Sequence, residues 1–129
     1  MVALHSAVGG LVVLAFVVVT ILNILRVTGR DLPIARTISM IAGALLLIQY
    51  ILGFLLLGAG FRNSMAHYVI ALLAILTVGM EHGYAATRDT SRQRAVAATI
   101  ATLATTILVL IAYMIGMGGA ATTPAMLLP

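Results

Sequence analysis

His5 and His67 are the two side chains whose type and placement point most directly to chemistry. Neutral imidazole is a standard axial ligand of haem iron. Two imidazoles at one level on opposed helices can take both faces of a single iron. The other polar side chains that fall within apolar runs are few: Asn23, Gln49, Glu81, His82 and several hydroxyls. Polar groups are costly inside a bilayer, so each is a functional candidate.

These residues are set in a chain of 129 residues that is 63% hydrophobic and only 8% charged. Soluble domains carry about 25% charged residues, and a mean hydropathy of +1.21 points the same way. A spanning helix needs about 20 apolar residues. The expected architecture is therefore an all-α integral membrane protein, an antiparallel up-down-up-down four-transmembrane-helix bundle. The apolar runs predict helices over about 2–26, 35–60, 65–86 and 94–117, forming one domain over 1–117, with a tail over 118–129. Gly and Pro punctuate the first break and Arg62, Asn63 and Ser64 the second. Ser91 is a candidate cap for the fourth helix. The first apolar run lacks a preceding basic region and exceeds the ~7–15 residues of a signal-peptide core, so it is expected to be a retained helix.

Charge orients the bundle. All seven basic residues are arginines. Arg26, Arg30, Arg36, Arg88, Arg92 and Arg94 flank the first and third loops, and Arg62 alone occupies the second. The positive-inside rule places loops 27–34 and 87–93 in the cytoplasm and both termini outside, in a prokaryotic-type cytoplasmic membrane. The absence of cysteine excludes disulfides, iron–sulfur clusters and covalent c-type haem attachment. The arginines form no single continuous patch, so no nucleic-acid partner is expected.

In this topology His5 lies near the outer start of helix 1 and His67 near the outer start of helix 3, on diagonal helices and at matched depth. A small residue follows each histidine by four positions, Gly9 and Ala71, one turn away on the same face, where a flat macrocycle needs room. Gly53, Gly60, Ala112 and Gly116 thin the wall toward the same end. Arg62 is the one side-chain cation there and could pair with haem propionates, with Ser6, Asn63 and Ser64 adding hydrogen bonds. Each feature has a plainer alternative. Small residues are the ordinary means of close helix packing in membranes. A histidine or arginine near a helix end can simply reach interfacial water.

Glu81 and His82, with Tyr84, fall at the opposite end of helix 3. Fifteen residues separate His67 from His82, about 22 Å of helix rise, so these two cannot share an iron. The pair could serve proton exchange or a quinone headgroup, or be an interfacial acid and imidazole near Arg88. Met40 is a weak second ligand there. Asn23 and Gln49 are expected to bridge helices. Tyr50, Tyr68, Tyr84 and Tyr113 read mostly as interfacial aromatics, with Tyr50 deeper. No nucleophile triad, phosphate loop or mid-membrane acid pair is visible.

The stretch Leu45 to Ile75, together with Leu4 to Leu14, resembles one four-helix half of the haem A synthase family. The likeness lies in a histidine on alternate helices, in Gln49 followed by Leu52 and Gly53, and in the interval from His5 to His67. It implies a b-type haem carrier with His5 and His67 as axial ligands, like the cofactor half of that family. The family's catalytic glutamate has no counterpart among Met1, Val2, Ala3 and Leu4, the extracellular cysteine pair is absent, and the chain is half the family's usual length. The implied activity is thus electron transfer rather than synthesis.

Two functions of different class are expected from these residues. In the first, His5 and His67 hold haem b, with Gly9, Ala71 and Arg62 around it, and the chain transfers electrons as a small subunit of a larger membrane complex, not as an enzyme by itself. In the second, it is an accessory transmembrane subunit with no cofactor. A small transporter is a weaker third, since the middle of each helix lacks charge.

Overall fold

The computed structural model describes residues 1–119, and almost all of them are helical. The elements are α1 (Val2–Val27), α2 (Ile34–Gly58), α3 (Met65–Gly79) and α4 (Ser91–Gly119). A π-helical turn (Met80–Tyr84) and a 3-10 turn (Ala85–Thr87) prolong α3. No strand occurs among the described residues. All four helices, counting α3 through Thr87, are long and apolar enough to cross a bilayer. Their outer faces carry exposed Leu14, Leu47, Phe54, Leu72 and Ile100, and such surface is stable against lipid and not against water. The chain is an integral membrane protein, an all-α four-helix bundle. Most of the tail expected over 118–129 lies outside the described residues, although α4 itself runs on to Gly119.

Capping chemistry fixes the ends where hydropathy alone misplaces them. α2 stops at Gly58, not at 60, because Gly60 turns to φ +89°. Its N–H reaches the Leu57 carbonyl and the Phe61 N–H reaches that of Leu56, each at 3.1 Å, a Schellman ending that glycine makes accessible. α4 begins three residues earlier than expected. Its cap is Thr90, not Ser91: Thr90 Oγ1 accepts from the Gln93 N–H at 3.2 Å while Gln93 Oε1 accepts from the Thr90 N–H at 3.3 Å. That reciprocal capping box holds a polar first turn that the apolar count excludes. At α3, Ser64 Oγ accepts from the His67 N–H at 3.3 Å.

α1 packs between α2 and α4, and α3 packs on α4. The core is small and apolar: Val12, Phe16 and Val19 of α1, Ala42 and Leu46 of α2, Ala74 of α3 and Val109 of α4. Threonines of α4 supply polar links along its two seams. Thr106 meets Thr20 at 2.9 Å on the α1 side, and Thr105 meets Thr77 at 2.7 Å on the α3 side. α2 and α3 make no comparable backbone approach. Side chains bridge that seam instead, with the Tyr50 hydroxyl donating to the Ala71 carbonyl and Ser39 reaching Glu81.

Candidate functional site

His5 and His67 meet at the end of the bundle where α1 and α3 begin. Their ring centroids lie 6.5 Å apart with the planes at 65°, and both residues are half-buried. Glycines on the other two helices seat the rings. A Cβ at Gly53 of α2 would come within 3.3 Å of His5 Cε1, and one at Gly116 of α4 within 3.3 Å of His67 Cε1. Two of the residues that read as thinning the wall, Gly53 and Gly116, are therefore surfaces on which the imidazoles rest, while Gly60 belongs to the turn after α2.

The proton on His67 is settled by its partner. Nδ1 lies 2.9 Å from the Ala112 carbonyl oxygen. A carbonyl only accepts, so Nδ1 carries the hydrogen and Nε2 keeps its lone pair. Gly116 makes this contact possible. It sits one turn after Ala112 on α4, where a Cβ would press on the ring at 3.3 Å from Cε1 and 3.6 Å from Nδ1. His5 is held less completely. The Gln49 amide nitrogen stands 3.3 Å from His5 Nε2. With the amide as donor, Nε2 is the acceptor and Nδ1 bears the proton, the same tautomer as His67. Among the described residues His5 Nδ1 and Gln49 Oε1 are both buried without a hydrogen-bond partner. A buried polar group left in that state costs about 1–3 kcal/mol, so this end of the bundle is polar and under-satisfied.

The remaining candidates take varied places. Gly9 is buried, and a Cβ there would meet Gln49 Nε2 at 3.0 Å and Tyr113 Cδ2 at 3.2 Å. The space above it is thus occupied by those two side chains. Ala71 is half-buried and contributes its carbonyl to Tyr50. Arg62 is exposed and folds back on the end of α2, donating to the Leu57 carbonyl at 2.7 Å and to that of Phe61 at 3.3 Å. Carbonyls at a helix end lack helical partners and attract such a donor. Ser6 and Asn63 are half-buried at the same end, and Ser64 is exposed there. Gln49 bridges α2 to α1 as expected, but onto His5 itself, and Tyr113, read from sequence as interfacial, packs against Gly9. The pairing of Gln49 with Gly53, one turn apart on one face, was the available signal.

A second polar cluster lies at the arginine-rich end. Glu81 is only 8% exposed. The π-helical turn sets it into the bundle, a deformation often found at functional positions. Its Oε1 accepts from Ser39 Oγ at 2.6 Å and from Asn23 Nδ2 at 3.5 Å, while Oε2 is buried without a partner. Arg26 donates to Asn23 Oδ1 at 3.0 Å. His82 is exposed, with Nε2 3.4 Å from Ser39 Oγ. The two neighbours thus part, His82 to the surface of the bundle and Glu81 into its interior. Among the described residues no group of three or more His, Cys, Asp or Glu is placed to hold a metal ion. Any metal at the histidine end would accordingly rest on two protein ligands and on a cofactor for the rest.

Neither a protein family, nor a curated protein, nor a solved structure matches this chain.

Proposed function

We propose that the bundle carries one b-type haem between His5 and His67 and passes electrons. The observation that carries this reading is the 6.5 Å separation of the two ring centroids. Two imidazole–metal bonds of about 2.0 Å, plus the half-width of each ring, sum to roughly 6 Å. The Nδ1–H tautomer of His67 supports it, because a backbone carbonyl on Nδ1 aims the Nε2 lone pair and raises ligand basicity. The open backbone seam between α2 and α3 supplies width for a flat ring. Gln49 stands on His5 Nε2 and has to swing aside to free that nitrogen. Arg62 is close enough in sequence to leave the end of α2 for a propionate.

A bis-imidazole haem, when bound, takes up and releases one electron at a time. The chain's own part is to fix two rings through Gly53, Gly116 and the Ala112 carbonyl, and to surround them with apolar helix. By the positive-inside rule the histidine end faces outward and the arginine-rich loops face the cytoplasm of a prokaryotic-type membrane. A haem set between spanning helices exchanges electrons with neighbouring subunits or with a lipid-soluble quinone. The free Oε2 of Glu81 and the Ser39 hydroxyl are the groups that suit a quinone headgroup.

The test is a reduced-minus-oxidised spectrum of protein purified from cells supplied with haem. A b-type band at about one haem per chain is expected, and it should vanish in His67→Ala and in His5→Ala. A colourless, fully helical wild-type protein would overturn the reading and leave the cofactor-free accessory subunit in its place.

A further inference from the structure

At the arginine-rich end a groove of about 590 Å³ opens between the end of α3 and the start of α4. Its two halves differ in chemistry. The mouth is cationic, with Arg88 and Arg92, and the floor is apolar, with Met80, Val96 and Ile100. From Arg92 to Ile100 the floor descends α4 by about 12 Å. The Arg88 guanidinium lies over the Tyr84 ring, 3.9 Å from its centroid, and this stacking holds the cation at the rim. Among the described residues Arg88 Nε is buried without an acceptor, and no acidic side chain lines the groove.

We infer that this groove is a binding site for one anionic phospholipid from the leaflet at that end. The phosphate lies against Arg88 and Arg92, where planar guanidinium donors match its oxygens. One acyl chain lies along Val96 and Ile100. The groove lies where two candidate spans end and begin, and basic pockets between helices at such ends suit acidic headgroups. The unfilled donor on Arg88 sets it apart from a merely basic surface. The inference holds whether or not the histidine end binds a cofactor.

The test is native mass spectrometry of the purified chain in neutral detergent, titrated with phosphatidylglycerol, with phosphatidylcholine, and with inorganic phosphate. One equivalent of phosphatidylglycerol is expected to bind in preference to phosphatidylcholine, and millimolar phosphate should fail to displace it. Arg88→Gln with Arg92→Gln should weaken binding about tenfold or more. Arg30→Gln with Arg36→Gln, at the same end but away from the groove, should leave it unchanged. Ala97→Phe fills the groove without touching charge and should also abolish binding, which keeps the inference testable if the arginine pair proves necessary for folding. Equal binding of phosphatidylcholine, equal loss in the Arg30 and Arg36 control, full displacement by phosphate, or unchanged binding in Ala97→Phe would each overturn it.

Discussion

Gly116 is the residue through which α4 orients His67, and replacing it by alanine separates orientation from stability. The new Cβ would stand 3.3 Å from His67 Cε1 and 3.6 Å from Nδ1. Carbon atoms settle at about 3.5–4.0 Å, so the ring must retreat by a few tenths of an ångström. The Nδ1 bond to the Ala112 carbonyl, now 2.9 Å, is then pushed toward the ~3.2 Å limit, and most of its ~0.5–1.5 kcal/mol is lost. Alanine within a helix recovers about 1 kcal/mol relative to glycine. These two contributions nearly cancel, so thermal stability in detergent should change by less than about 0.5 kcal/mol. Nothing offsets the misdirected ring, and haem affinity should fall about tenfold, the lower end for losing a metal ligand's outer partner. Gly118→Ala is the control, since a Cβ there meets nothing within 4 Å among the described residues. Haem titration followed by absorbance reads affinity, and ¹⁵N spectra of the histidine rings read the tautomer without haem. Wild-type affinity and an unchanged Nδ1–H signal in Gly116→Ala would refute the reasoning.

Other substitutions probe the rest of the bundle. Glu81→Gln keeps an acceptor for Ser39 and Asn23, so its unfolding temperature should stay close to wild type. Glu81→Leu strands both donors and should cost about 1–3 kcal/mol for each, a loss that Ser39→Ala partly relieves in a double-mutant cycle. Gly9→Leu drives a side chain into Gln49 and Tyr113 and should destabilise by up to about 3 kcal/mol, seen as a lower midpoint in denaturant. Thr90→Ala removes one arm of the capping box and should cost about 1 kcal/mol, with fraying at Ser91–Gln93 visible by hydrogen exchange.

The four spans were legible because long apolar runs broken by Gly, Pro and Arg leave few alternatives in lipid. Their ends were less so. Thr90 and Gln93 obey hydrogen bonding rather than hydropathy, and Gly60 belongs to the turn because its backbone is left-handed there. The approach of His5 to His67 followed from counting residues in an alternating bundle. What that count misses is what each ring touches. Gly116 serves His67 by leaving its ring room beside a carbonyl on another helix, a relation no local pattern encodes. Arg62 reads as a free cation until its reach back to the Leu57 carbonyl at the end of α2 is considered. The π-helical turn at Met80–Tyr84 leaves no signature in residue type, so Glu81 reads as interfacial although it is buried.

The seam between α2 and α3 has one more implication. Three of the four walls close by backbone packing, while this one closes by a handful of side chains. Parting it asks side chains to move and no helix to unfold. The seam runs along two helices long and apolar enough to span a bilayer, so a haem held as proposed above would enter by that side, from within the membrane plane.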